Sequence, residues 1–208
     1  MSRIILASKS PRRFDLMSLT GLDFEVIVAD IDEDQVMAEV INKYHARGIR
    51  ADMYQIAQEV ACAQASAKAS AVLQTVEGDD VIVIGSDTVV VTADNILGKP
   101  RDEEDARHML TLLSGMTHRV YTGVSIQGRN KKCTFSSIAD VKFHQFDDMQ
   151  EKMIESYIAT GSPMDKAGAY GIQDQGALLI DSISGDYYAV VGLPVARVNR
   201  ELLTFFAK

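Results

Sequence analysis

The sequence predicts an α/β domain built on a mixed β-sheet. Three patterns carry this. The run Val81–Val91 (VIVIGSDTVVV) is dense in β-branched residues, which marks a strand buried on both faces. Short apolar runs alternate with helix-periodic segments through the first half of the chain. Two long stretches between Thr117 and His144 alternate apolar and polar residues around a Gly-Arg-Asn turn, the signature of an antiparallel hairpin. The hairpin is a candidate second lobe, with a cleft between it and the rest.

The composition bounds what this domain does. At 208 residues the chain suits one domain, and 47% apolar with 24% charged residues is ordinary for a soluble globular protein. No apolar run approaches the ~18 residues of a membrane span, so no membrane partner is expected. Lys9, Arg12 and Arg13 follow the short apolar N-terminus at once, which does not resemble a signal peptide. Two cysteines without metal-type spacing suit a reducing cytoplasm. The net charge of −8 argues against nucleic acid as a partner. An anionic substrate would need a local basic cluster or a divalent metal.

Taken in order, Arg3–Ala7 is a short apolar strand. Ser10 is a good N-cap and Pro11 suits a first helical position, so a helix follows and ends at Gly21. Its N-terminus gathers Ser8, Ser10, Lys9, Arg12 and Arg13. Cations in a first turn oppose the helix dipole unless an anion sits there. A solvated basic turn and a phosphate site are the two readings. Phe24–Ala29 is the next strand. The acidic run Asp30, Asp32, Glu33, Asp34 then either caps and turns the chain or ligates Mg²⁺. Val36 to Tyr44 has helical spacing, reaching about Arg47 before Gly48. Residues 53–75 form a longer alanine-rich helix. Lys68 falls on its apolar stripe, either snorkelling at the edge or aimed into a site.

In VIVIGSDTVVV, Gly85 and Ser86 mark a bulge or a close approach by another group. Asp87 is then a turn residue beyond a strand ending at Gly85, or an acid kept on a buried strand for chemistry. Lys99 is held extended by Pro100. Asp102 caps a helix with Ala106, Met109, Leu110 and Leu113 inward. After the hairpin, a helix runs from about Asp147 to Ala159. Residues 161–176 hold four glycines, Asp165, Lys166, Tyr170 and Gln173. A loop this long inside a compact domain is usually functional. Ala177–Ile180 is a final strand, and Pro194 opens a terminal helix.

The residues that break local rules form a chemical set. Arg12, Arg13, Lys68, Lys99 and Lys166 supply positive charge. Asp87 and Glu33 supply carboxylates, and Gln173 an amide that both donates and accepts. Cations with carboxylates suit metal-assisted chemistry on a polyphosphate. The amide suits a base edge.

Seven segments, in order, resemble the Maf family of nucleoside triphosphate pyrophosphatases. They are Leu6 to Arg13 (LASKSPRR), Ile31 to Glu33 (IDE), Gly85 to Thr88 (GSDT), Leu97 to Pro100 (LGKP), Thr117 to Gly123 (THRVYTG), Asp165 to Gln173 (DKAGAYGIQ) and Gly185 to Pro194 (GDYYAVVGLP). The resemblance implies an elongated mixed sheet with flanking helices, in two lobes around a cleft, as in inosine triphosphate pyrophosphatases. It implies hydrolysis of a triphosphate to monophosphate and pyrophosphate with Mg²⁺ or Mn²⁺. Asp87 matches the general base, Arg12, Arg13, Lys68 and Lys99 the phosphate contacts, and Glu33 an acid near the metal. Arg12, Thr88 and Gln173 match the positions that mark the subgroup acting on dTTP and UTP. Family members are often homodimers. The family is also linked to division arrest, so a nucleotide-binding regulator of septum formation with little turnover is the alternative. Two features depart from the family pattern: Ser86 stands in place of an alanine, and the segment from Asp34 to Tyr54 is long.

Overall fold

The computed structural model describes residues 2–46 and 52–206. Its elements are β1 (Arg3–Ala7), α1 (Pro11–Ser18), β2 (Glu25–Val26), α2 (Glu33–Ala46), α3 (Met53–Thr75), β3 (Val81–Val91), β4 (Ile96–Leu97), α4 (Glu103–Leu113), β5 (Thr117–Gln127), β6 (Lys132–Phe143), α5 (Asp148–Ile158), β7 (Ile180–Gly185), α6 (Tyr187–Val191) and α7 (Val195–Phe206). The seven strands form one sheet in the order β2-β1-β3-β5-β6-β7, with β4 on β3. The sheet is mixed, as expected. β1 runs parallel to β2 and β3, while β3, β5, β6 and β7 pair antiparallel. Among the described residues no helix is long and apolar enough to cross a membrane.

β3 is the central strand. It runs unbroken through Gly85 to Val91, and every residue except half-buried Thr88 is buried. Its β5 edge is paired from Val83 to Val91. On the other edge β1 stops opposite Gly85 and β4 starts opposite Val90. Residues 86–89 therefore have an open edge there among the described strands. This gap positions the site.

α3 lies across β3 and β5. Ala57, Ala61, Ala65 and Ala69 recur every fourth residue on its inner face and are all 0% exposed. A stripe of methyl groups lets a helix sit close to a sheet. Gly85 is not a bulge: its missing side chain leaves room for the Ala65 carbonyl and Ala69 N–H of α3. On the opposite face α1, α4, α5 and α7 cover a core that includes Leu6, Ile84, Leu110, Val124, Phe143, Tyr157 and Leu202. Truncating such a side chain to alanine costs roughly 2–5 kcal/mol.

Several boundaries differ from the sequence expectation. The strand at Phe24–Ala29 narrows to Glu25–Val26, because its partner β1 ends at Ala7. Ala177–Ile180 is not a strand. Asp174 accepts from Gly176 N–H and opens a 3₁₀ turn over Gln175–Leu179, and the strand follows at Ile180. Asp186 accepts from Tyr188 and Ala189 N–H and starts α6, a helix too short to show periodicity. α2 begins at Glu33, earlier than Val36, with Asp32 accepting from Gln35 N–H at 2.9 Å. The expected end of that helix at Arg47 and Gly48 lies outside the described residues.

Candidate active site

A cavity of about 1290 Å³ opens at the unpaired edge of β3. Every residue singled out from the sequence lines it: Ser8, Ser10, Arg12, Arg13, Glu33, Lys68, Asp87, Thr88, Lys99, Lys166 and Gln173. They come from separate elements, brought together where β1 stops short.

Asp87 sits on the α3 side of β3 and is 8% exposed. Lys68, 9% exposed, reaches down from α3. Its ammonium bonds Asp87 Oδ1 and lies 2.6 Å from Glu33 Oε1. Lys99 Nζ then meets Glu33 Oε2 at 3.1 Å. The four side chains form an alternating row, Asp87, Lys68, Glu33, Lys99, whose charges sum to zero. Burial raises the Glu33 carboxyl, but Lys68 and Lys99 outweigh it and hold Glu33 down at about 2. Gln64, 6% exposed and one helical turn before Lys68, donates to the Glu33 carbonyl at 2.9 Å and ties the start of α2 to α3. Sequence reasoning misses Gln64, although it breaks the same apolar stripe as Lys68.

The other wall is built on the α1 turn. Ser8 Oγ accepts from Ser10 N–H at 3.1 Å, and Ser10 Oγ caps α1 by accepting from Arg13 N–H. Arg13 turns beneath the strand. Its Nε donates to the Gly192 carbonyl at 2.8 Å and its Nη2 to Thr88 Oγ1 at 3.2 Å. Burial pushes the Arg13 guanidinium pKa down, against the pull of Asp87. Thr88 Oγ1 also lies 2.9 Å from Thr122 Oγ1, and Thr122 donates to the Ala189 carbonyl at 2.6 Å. With the Thr122 hydrogen used on Ala189, Thr88 donates to Thr122 and accepts from Arg13. Sequence reasoning misses Thr122 as well; on an alternating strand it looks like any inward residue.

Residues 161–176 close the far side. Arg12 Nη1 meets Asp165 Oδ2 across the mouth at 3.4 Å. The Lys166 ammonium is turned into its own loop, on the Ser162 carbonyl at 2.5 Å, Asp165 Oδ1 at 2.8 Å and Asp174 Oδ2 at 3.3 Å. Its methylene stem packs along Gly171. Gln173 is exposed on the cavity wall. Tyr170 links this loop to the sheet, with its hydroxyl 2.7 Å from His118 Nε2.

Arg12, Arg13, Lys68 and Lys99 thus ring a cavity that also holds Asp87 and Glu33, a set matched to a polyanion. The model of the Maf family, described as Maf-like protein, matches residues 3–205. The chain belongs to the Maf family. It is 44% identical over 205 residues to a protein of Bacillus cytotoxicus named dTTP/UTP pyrophosphatase, covering 99% of this chain and 96% of that one. A Bacillus thuringiensis protein of the same name is 43% identical with the same coverage. The Maf match spans the α1 turn, β3 and the 161–176 loop alike.

Glu33 and Asp87 are the two carboxylates of the row that could hold a divalent ion, and Asp30, Asp32 and Asp34 line the same cavity. No group of three or more His, Cys, Asp or Glu side chains suited to a metal occurs among the described residues. Two hard oxygen donors and no protein cage fit Mg²⁺, which takes one or two carboxylates and completes its shell with water and substrate phosphates.

Proposed function

We propose that this chain hydrolyses nucleoside triphosphates to the monophosphate and pyrophosphate, with dTTP and UTP or modified forms of these pyrimidine nucleotides as substrates. The observation that carries the reading is the buried Asp87–Lys68 pair at the open edge of β3, ringed by Arg12, Arg13 and Lys99. The substrate names come from the relatives.

In this reading Asp87 orients a water for in-line attack on the α-phosphorus and takes its proton. A bond forms between the water oxygen and the α-phosphorus. The bond from that phosphorus to the α–β bridging oxygen breaks, and pyrophosphate leaves. Lys68, Arg12 and Lys99 meet the negative charge that grows on the leaving group. The serine hydroxyls and free N–H groups at the start of α1 hold phosphate oxygens. Arg13, fixed by Gly192 and Thr88, keeps its remaining donors aimed at the cavity. Thr88 and Gln173 present acceptor and amide groups to the pyrimidine edge. Lys166 braces the loop wall beside the nucleotide through Ser162, Asp165 and Asp174. Glu33 and Asp87 would hold Mg²⁺ or Mn²⁺, and the bound ion would supply further neutralisation of the phosphates.

The free cysteines Cys62 and Cys133 support a cytoplasmic location. A homodimer is the assembly to look for by sedimentation. The functional test is a panel of nucleoside triphosphates with products identified by phosphorus NMR. Pyrophosphate and a monophosphate from dTTP and UTP support the reading. Orthophosphate as sole product, or tight binding without turnover, overturns it.

A further inference from the structure

Gly123 lies directly opposite Asp87 in the β3–β5 register. On the same face Gly85 precedes Asp87 by two residues, so the acid is flanked by positions without side chains on both strands. Both glycines lie under the α3 backbone. A Cβ on Gly123 would stand 2.6 Å from Cys62 N and closer still to the Ala61 carbonyl oxygen. A Cβ on Gly85 would stand 2.8 Å from Ala69 N and closer still to the Ala65 carbonyl oxygen. In both cases the obstacle is helix backbone, which cannot rotate away as a side chain could. Neither glycine has a left-handed φ, so backbone freedom does not explain them.

We infer that Gly123, with Gly85, is a positioning residue that sets the height of Lys68 above Asp87. Lys68 lies on the α3 turn between Ala65 and Ala69, the two residues that rest on Gly85. Gly123 takes the previous contact along the same helix, at Ala61 and Cys62. A side chain at Gly85 lifts that turn directly, and one at Gly123 lifts the helix one turn before it. The lift needed to restore ordinary van der Waals separation is on the order of 1 Å. Asp87 stays with the strand while Glu33 is tied to α3 through Gln64, so the lift loosens the Lys68–Asp87 contact first. A displacement of this size at a reacting centre costs about 10²-fold in rate. The inference rests on the functional reading above for its catalytic consequence, but not for its structural one.

The test is Gly123→Ala, measured by activity and by crystal structure, with Lys68→Met and the double variant. We expect kcat for dTTP about 10²-fold below the parent and a lengthened Lys68–Asp87 contact in the crystal. In the Lys68→Met background the same glycine change should add almost nothing, because its effect passes through a side chain already gone. A purely structural defect would multiply with the loss from Lys68→Met. Full activity in Gly123→Ala, an independent further loss in the double variant, or an unmoved ion pair in the crystal would each overturn the inference. If Gly123→Ala does not fold, Ala65→Ser makes the smallest enlargement at the same interface from the helix side, and the same three outcomes apply. A parent that turns over no nucleotide counts against the functional reading alone; the crystal structure still decides whether the glycines set the contact.

Discussion

The Lys68 ammonium rests on Asp87 Oδ1, with both side chains 11% exposed at the edge of a substrate-sized cavity. One partner comes from a helix and the other from the strand beneath it, so the pair joins the two elements that the core packs together. Breaking a buried pair from one side leaves the other charge uncompensated. Lys68→Met therefore leaves two carboxylates facing each other. We expect a loss of about 1–3 kcal/mol in unfolding free energy at neutral pH and a larger, catalytic loss in pyrophosphate release. Denaturant unfolding of parent and variant checks the first part. An unchanged midpoint would mean that water already screens the pair.

Much of this arrangement is legible in the residues themselves. The β-branched run announces β3, Gly85 a bulge or a close approach, and a lysine on an alanine stripe either an edge residue or a cation aimed inward. Pairing is not legible in the same way. Asp87, Lys68, Glu33 and Lys99 are distant in sequence, and only the end of β1 opposite Gly85 brings them to one edge. The Thr88–Thr122 contact is hidden for a related reason. Register is set by the whole hairpin, and one threonine on an alternating strand carries no mark of its cross-strand partner. The 3₁₀ turns and α6 escape sequence reasoning because three to five residues are too few for a periodicity to appear. Lys166 lines the cavity as the sequence suggests, but its contacts with Ser162, Asp165 and Asp174 are set by the loop's folding and not legible in the pattern.

Acid should weaken the protein through Glu33. Its carboxyl is held at about 2 against an ordinary 4.5, so the folded form binds its proton less readily than the unfolded chain. The stabilisation is present above about 4.5 and is lost as pH falls from there towards 2. Partial exposure of the side chain screens the effect. Thermal midpoints measured from pH 6 to 2.5 should fall less steeply for Glu33→Gln than for the parent. Parallel curves would show that Glu33 plays no part in the acid response.

His118 gives a second, higher window. It is 1% exposed between Phe143 and Tyr170, and its Nδ1 has no partner among the described residues. Burial, only partly opposed by Asp140, lowers its pKa from 6.5 to about 4. The unfolded chain takes up this proton first, so stability is full above 6.5 and declines as pH falls from 6.5 to about 4. The imidazole resonances should stay those of a neutral ring until near pH 4. Titration at the ordinary value would show that the ring is open to water. Because Tyr170 bonds His118, Tyr170→Phe should loosen the 161–176 loop and raise KM more than it lowers kcat.

Arg13→Lys should not be conservative. A lysine has no planar fork to reach the Gly192 carbonyl and Thr88 together. We expect kcat/KM for dTTP to drop by about 10²-fold with the fold retained by circular dichroism. Activity within a few-fold of the parent would show that the guanidinium serves only to brace Gly192.

Chelation separates catalysis from folding. Lys68 and Lys99 already offset the charges of Asp87 and Glu33, so we expect the fold to stand without a divalent ion. EDTA should abolish turnover, leave the thermal midpoint unmoved, and be reversed by Mg²⁺ or Mn²⁺. Turnover that persists in EDTA would remove the metal from the proposal.

In the proposed mechanism Asp87 performs the chemistry at the open edge of β3. Asp87→Asn keeps the side chain's shape and removes its charge. The direct measurement is the rate of pyrophosphate release from dTTP by the folded variant beside the parent. We expect a loss of at least about 10²-fold, with nucleotide binding retained. A variant that releases pyrophosphate at the parent rate would contradict it.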